Sequence, residues 1–253
     1  MRSRRVTRTL IIPDTHAPYH DELAWQTMLA AARVYKPDII VLIGDFVDCY
    51  AVSAHPKSPE RRSSLQHEIA VSNKMLDAVG RLGAKRVIFC SGNHEYRLDR
   101  FIRDKAPELF GIAPNIQTLL RIKARGWEWV PYMRYLKIGK VAYTHELGRC
   151  GVNTARATLL DFGGNIVVGH SHRAGLSYQG TVDDGCRVCM NVGWLGDEKE
   201  IDYAHRARAE RDWEKGFGIV EQDAQGVAWM TFVPIIYGRC VVRGRVVQGR
   251  RAA

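Results

Sequence analysis

Short runs of β-branched and apolar residues recur along the chain at Val6–Ile12, Ile39–Ile43, Val87–Cys90, Val141–Thr144 and Ile166–Val168, each stopped by proline, glycine or a polar cluster. Runs of this length and composition predict buried strands. Within Glu22–Tyr35, the residues Leu23, Trp25, Met28, Leu29, Ala32 and Tyr35 fall near helical spacing, and Pro37 stops the segment. Within Leu65–Leu82, one face carries Leu65, Ile69, Leu76, Val79 and Leu82, and Gly83 stands at the expected C-cap. The order so far is β-α-β-α-β. Arg97–Lys105 and Ile116–Ala124 predict two more helices, after which the pattern turns β-rich. Lys137–Lys140 suits a hairpin, and Gly175–Tyr178, Arg187–Val192, Gly218–Val220, Val227–Val233 and Val241–Val247 read as strands. An α/β first half joined to a β-rich second half predicts two packed sheets with helices outside.

The 253 residues show no repeat, low-complexity tract or linker, so a single domain over residues 1–253 is the simplest organisation. A composition of 46% hydrophobic and 25% charged residues is ordinary for globular chains and excludes disorder, collagen-like and coiled-coil classes. Apolar runs reach only five residues, as at Ile39–Ile43, far short of the roughly 18 to 20 that span a bilayer. No membrane association is expected. The basic amino terminus is followed only by Leu10, Ile11 and Ile12 before Pro13, too short for a secretory segment. A cytoplasmic location and six reduced cysteines, with no disulfides, are therefore expected. The net charge of +10 is concentrated at the ends: Arg2, Arg4, Arg5 and Arg8 precede Pro13, and Arg239, Arg243, Arg245, Arg250 and Arg251 fall in a basic tail at 239–253. Without these nine, 28 basic residues face 27 acidic ones. Basic ends on a neutral body suit contact with a phosphate-rich polymer, because each neutralised phosphate releases counterions.

The candidate chemistry lies at strand ends. Asp14 and His16 follow the first run, Asp45 and Asp48 the second, Asn93 and His94 the third, His145 the fourth, and His170 with His172 the fifth. In open α/β sheets the carboxyl ends of the strands are where ligands bind. The spacings are Asp-x-His, Gly-Asp-x-x-Asp, Gly-Asn-His-Glu, Thr-His-Glu and Gly-His-x-His, and five of the nine histidines fall in this ordered set. One such histidine is weak evidence; the series is strong.

With these five blocks the chain resembles the calcineurin-like metallophosphoesterases over roughly residues 9–172. The resemblance implies a four-layer β-sandwich of two mixed sheets flanked by helices, with two divalent metals at the sheet edge. It implies that Asp14, His16 and His172 hold one metal, that Asn93, His145 and His170 hold the other, and that Asp45 bridges them. In such a centre two ions activate a bridging water as hydroxide and neutralise charge on the phosphoryl oxygens. Oxygen and imidazole ligands without thiolates suit manganese, with iron, zinc or nickel as alternatives. His94 is the expected acid toward the leaving oxygen, oriented by Asp48.

Serine/threonine phosphatases of this family place an arginine after the residue matching Asp48 and another before Gly-Asn-His-Glu; here those places hold Cys49 and Ser91. A monoester dianion gains most from bidentate arginines, so their loss favours diesters. Arg97, Arg100 and Arg173 are the candidates for a substitute clamp. Gly169-His170-Ser171-His172 and Asn191-Val192-Gly193-Trp194 resemble the endings of bacterial and phage-type phosphodiesterases, including nucleases. The reading is a phosphodiesterase acting on nucleic acid or a nucleotide derivative; the alternative is a phosphomonoesterase. A scaffold without catalysis would show eroded ligands, and all seven are present. His55–Ser64 and Glu198–Lys215 are candidate access loops, and Trp127, Trp129, Trp194 and Trp213 could stack bases, although packing is their default. Cys186-x-x-Cys189 has no second pair, and residues three apart on a strand face opposite ways, which argues against zinc there.

Overall fold

The computed structural model describes residues 6–57, 64–182, 185–200 and 212–250. In chain order these form β1 (Thr7–Ile12), α1 (Glu22–Tyr35), β2 (Ile39–Leu42), α2 (Leu65–Gly80), β3 (Arg86–Cys90), α3 (Tyr96–Lys105), α4 (Ile116–Leu119), β4 (Glu128–Val130), β5 (Leu136–Ile138) and β6 (Val141–Tyr143). There follow α5 (Thr154–Phe162), β7 (Asn165–Val168), β8 (Ala174–Thr181), β9 (Gly185–Val192), β10 (Gly216–Gln222), β11 (Ala228–Pro234), β12 (Arg239–Val242) and β13 (Arg245–Gln248).

One sheet has the order β11-β10-β1-β2-β3-β4 and a second the order β5-β6-β7-β9-β8. Both are mixed: β1 to β4 run parallel, β10 pairs antiparallel with β1 and β11 antiparallel with β10, while β6, β7 and β9 run parallel with β5 and β8 antiparallel. Strand alternation divides the core into layers. Ile11, Val41 and Ile88 face Tyr143, Val167 and Met190 of the other sheet. Leu10, Ile12, Ile40, Leu42 and Phe89 face the opposite way, against Trp25, Met28, Leu29, Leu76 and Val79 of α1 and α2. Ala142, Ile166 and Val168 lie under Leu159 of α5. Helix, sheet, sheet and helix make four layers, and strands covered on both faces are apolar throughout, as their runs required.

Helix α1 starts at Asp21, whose side chain accepts from the Ala24 N–H at 3.0 Å, and ends at Lys36 in the left-handed region. The helix expected over Ile116–Ala124 is cut to one turn, because Arg121 takes φ +56° and breaks the repeat. The Val241–Val247 run, read as one strand in a basic tail, is instead a hairpin. Arg243 and Gly244, at φ +51° and +72°, form its two-residue turn. Cys240, Val242 and Val247 are buried in the layer containing α1, and the Gly249 N–H donates to Thr27 Oγ1 at 3.1 Å. Residues 239–250 thus pack one face against the core, and deleting them would remove packing as well as charge. No helix among the described residues is long and apolar enough to cross a membrane, and all six cysteines are free.

Candidate metal centre and active site

The loops leaving β1, β2, β3, β6 and β7 converge. Asp14, His16 and His172 bring one ligand atom each to within 4.8 Å of one another, and Asp45, His145 and His170 do the same beside them. In the first group His16 Nε2 faces His172 Nε2 at 3.0 Å, and His172 Nε2 is 3.4 Å from Asp14 Oδ2. In the second, Asn93 Oδ1 lies 3.0 Å from both His145 Nε2 and His170 Nδ1, and Asp45 Oδ2 is 3.3 Å from His145 Nε2.

The motif glycines make this crowding possible. A Cβ on Gly44 would stand 2.6 Å from His145 Nδ1, one on Gly92 would overlap the Asp45 carboxylate, and one on Gly169 would overlap that of Asp14. His16, Asp45, His170 and His172 have φ between +48° and +68°, a left-handed conformation unfavourable for non-glycine residues. Surrounding bonds hold them there. Glu95, fully buried, accepts from the backbone N–H groups of Asp45 (2.9 Å), Phe46 (2.7 Å), Val47 (3.0 Å) and Gly92 (2.7 Å). One carboxylate therefore ties the loop after β2 to the loop after β3. Asp14 Oδ2 accepts from the His170 N–H and Asp45 Oδ1 from the His94 N–H, each at 2.9 Å.

The electrostatics fit a cation. Burial pushes the Asp14 carboxyl up to about 8 against the pull of His145. Burial also works against ionised Asp45, but His145 and His94 outweigh it and hold that carboxyl well below the usual range. His145 is lifted to about 10, because Asp45 and Asp14 overcome its burial. Burial lowers His16 and His172, leaving neutral imidazoles with a nitrogen free to coordinate. Asp14 Oδ1 is buried without a hydrogen-bond partner, and the two facing Nε2 atoms of His16 and His172 cannot both carry a proton. A donor set of carboxylates, imidazoles and one amide oxygen suits divalent ions, and these clusters fit them.

Beside the clusters, His94 Nδ1 is 2.9 Å from the Asp48 carbonyl oxygen and 3.4 Å from Asp48 Oδ2. Asp48 Oδ2 also lies 3.2 Å from His16 Nδ1, so this carboxylate touches both imidazoles. Arg97 Nη1 donates to the Asp48 carbonyl at 2.9 Å and to Oδ1 at 3.2 Å, and Nη2 is 2.9 Å from His94 Nε2. Both terminal nitrogens of Arg97 are committed. Arg100 is exposed on α3, and Arg173 Nη1 donates to the Ser171 carbonyl at 3.2 Å. Cys49 and Ser91 are buried.

Glu95, Glu146 and Tyr132 enter the site without having been singled out in the sequence. Tyr132 OH donates to Glu146 Oε1 at 2.5 Å, and Glu146 Oε2 lies 3.6 Å from His170 Nε2, the ring nitrogen turned away from Asn93. Glu95 had a signal: its carboxylate reaches back three residues to the Gly92 N–H, the reciprocal half of a capping pattern. Among the tryptophans, Trp129 stacks on Phe89 and Trp127 packs at the edge of the core. Trp194 stacks on His172 with ring centroids 4.9 Å apart, and the half-buried Trp213 meets both edge-on. Cys186 is exposed and Cys189 buried. Residues 58–63 and 201–211, most of the two candidate access loops, lie outside the described residues.

The sequence pattern of the calcineurin-like phosphoesterases matches residues 7–174, and the chain belongs to that family. The gene 54 protein of Mycobacterium phage L5 is 26% identical over 254 residues, covering 94% of this chain and 98% of its own length. The gene 54 protein of Mycobacterium phage D29 is also 26% identical, over 259 residues, with the same coverage. A solved structure of the Pseudomonas putida nuclease MPE aligns at 15% identity with a TM-score of 0.38, covering 88% of this chain and 87% of that one. The NAD nucleotidase NadN of Haemophilus influenzae aligns at 12% identity with a TM-score of 0.41, covering 91% of this chain and 50% of that one.

Proposed function

We propose that the protein is a two-metal phosphodiesterase acting on nucleic acid or a nucleotide derivative. The observation that carries the diester preference is the state of the arginines. The two positions where a phosphatase would hold a clamp are a buried cysteine and a buried serine, and Arg97, which among the described residues contacts His94 and Asp48, has both terminal nitrogens committed to them. A diester has one charge and two esterified oxygens and needs no such fork, whereas a monoester dianion does. In this reading Asp14, His16 and His172 hold one ion, Asn93, His145 and His170 the other, and Asp45 reaches both. Manganese is the metal of choice for assay, with iron, zinc and nickel as alternatives. Divalent ions at these ligands supply an activated water and charge neutralisation at the phosphoryl group.

The remaining work falls to side chains. His94 carries the proton destined for the leaving oxygen on its Nε2. Asp48 fixes the ring through Nδ1, and Asp45 and Asp48 together raise the affinity of the imidazole for that proton against its burial. Arg97 braces Asp48 from the far side through Nη1. Arg100 and Arg173 remain the candidates for contacts to more distant phosphates.

With added Mn(II), bis-p-nitrophenyl phosphate should turn over faster than p-nitrophenyl phosphate on one preparation. The reverse order would assign the centre to monoesters. Glu146→Gln should weaken metal retention at the Asn93 group about 10-fold, as expected when a ligand histidine loses the carboxylate that orients it, with little change in thermal stability. Isothermal titration with Mn(II) reads this directly.

A further inference from the structure

At the opposite end of the sheet, where β1 and β2 begin, the last turn of α1 and the β12–β13 turn form a cleft of about 460 Å³ lined by Arg33, Val34, Lys36, Arg243 and Arg245. All four cations are exposed, and among the described residues no acidic side chain lines the cleft. Arg243 lies over one side of the Tyr35 ring at 5.7 Å, and Arg8 approaches the same ring at 6.0 Å. Two acids near Tyr35 have partners of their own: Asp38 accepts from Arg8 Nε at 3.3 Å, and Glu221 accepts from Tyr35 OH at 3.5 Å. A basic last turn is common, because cations there complement the helix dipole. That explains Arg33 and Lys36 but not Arg243 and Arg245, which a hairpin some 200 residues later brings into the same cleft. None of the four forms an ion pair among the described residues; such like charges repel one another, and a row of phosphates relieves that repulsion by releasing its own condensed ions.

We propose that this cleft binds the phosphate backbone of a polynucleotide and anchors it away from the metal centre. The sequence's excess charge lies at the chain ends, and the hairpin turns part of it into a defined surface beside α1. A strand the length of β1 spans roughly 20 Å, which separates the cleft from the clusters by at least about six phosphates of a duplex at 3.4 Å each. A ligand shorter than that reaches one place or the other; a longer one reaches both. The anchor therefore acts on polymers and is silent toward small esters.

The test uses the full chain and a fluorescent phosphorothioate-linked duplex of 20 base pairs, which keeps its charge while resisting cleavage. Anisotropy is followed from 50 to 300 mM salt. The quadruple variant Arg33→Gln, Lys36→Gln, Arg243→Gln, Arg245→Gln should lower the slope of log affinity against log salt by about 3 to 4 and weaken binding at least about 10-fold at 100 mM. Its hydrolysis of bis-p-nitrophenyl phosphate should stay within twofold of the parent, and its melting temperature should not fall. Arg121→Gln with Lys123→Gln, which neutralises the cations of another cleft, is the control and should leave the slope as it was. An unchanged slope in the quadruple variant, or an equal loss per charge in the control, overturns the proposal. So does a variant that keeps the duplex but loses phosphatidylserine vesicles, which would assign the cleft to lipid headgroups. The binding readout needs no turnover, so failure of the diesterase reading would show in the ester assays and not here.

Discussion

Glu95→Ala should unfold the protein at a markedly lower temperature even though Glu95 is not among the proposed metal ligands. Its carboxylate accepts four buried N–H groups, and four donors require four acceptor lone pairs, which only the ionised form offers. Burial and the nearby Asp45 push its pKa up, against the opposing pull of the Val47 and Gly92 N–H groups and of His145. Each N–H left without an acceptor costs about 1 to 3 kcal/mol, less whatever water entering the vacated space recovers. A net loss of about 4 kcal/mol is a large fraction of ordinary stability and corresponds to roughly 10 °C or more in Tm for a chain of this size. Glu95→Gln, which keeps one acceptor oxygen but turns an NH₂ toward the donors, should recover little of it. Calorimetry on the two variants checks the ordering; a loss below about 1 kcal/mol for the alanine variant would mean that the two loops are held by other contacts.

The second large effect is on catalysis. Asp45→Ala should abolish metal-dependent hydrolysis of either ester by about 10³-fold or more and lower the metal content from two ions per chain toward one or none. Removing a carboxylate that only orients a ligand costs 10- to 100-fold, and losing one donor to a developing charge costs 10²- to 10³-fold; a side chain shared by two ions combines both. The change also strips His145 of the partner that lifts it to about 10 and leaves the His94 N–H without its acceptor. Metal analysis with single-turnover rates separates the outcomes. Full retention of activity would refute the shared-ligand role, whereas loss of activity with both ions retained would move Asp45 to a purely catalytic one.

Most of the frame was legible because its strands are covered on both faces, so Ile39–Leu42 and Arg86–Cys90 are apolar runs with sharp ends. Each of the five strand ends carried polar groups that packing did not need, and these are the residues the structure gathers. The failures have local causes. Strand β4 is three residues long, too short for alternation to register. Helix α5 opens with a threonine and carries another at 158, β-branched residues that weaken a helical reading. The β12–β13 turn uses Arg-Gly, so the apolar run passed for one strand without the usual Asn-Gly or Asp-Gly marker. Glu95 and Glu146 adjoin motif residues but act on backbone and on a ring nitrogen turned outward, which spacing alone does not reveal.

Strand β1, which carries Asp14 and His16 at its end, is paired on one side with β2 and on the other with β10, Thr9 lying opposite Val220. The Leu195 N–H also donates to the Asp14 carbonyl at 2.7 Å. The segment that matches the family pattern ends before either partner is made. On the ribosome, the first motif therefore emerges long before the strand that closes its flank, and β1 waits as an open edge able to pair with another chain. Such non-local closure makes folding slow. A fragment stopped at residue 174 should aggregate, and the centre should become competent only after the last third of the chain has been synthesised.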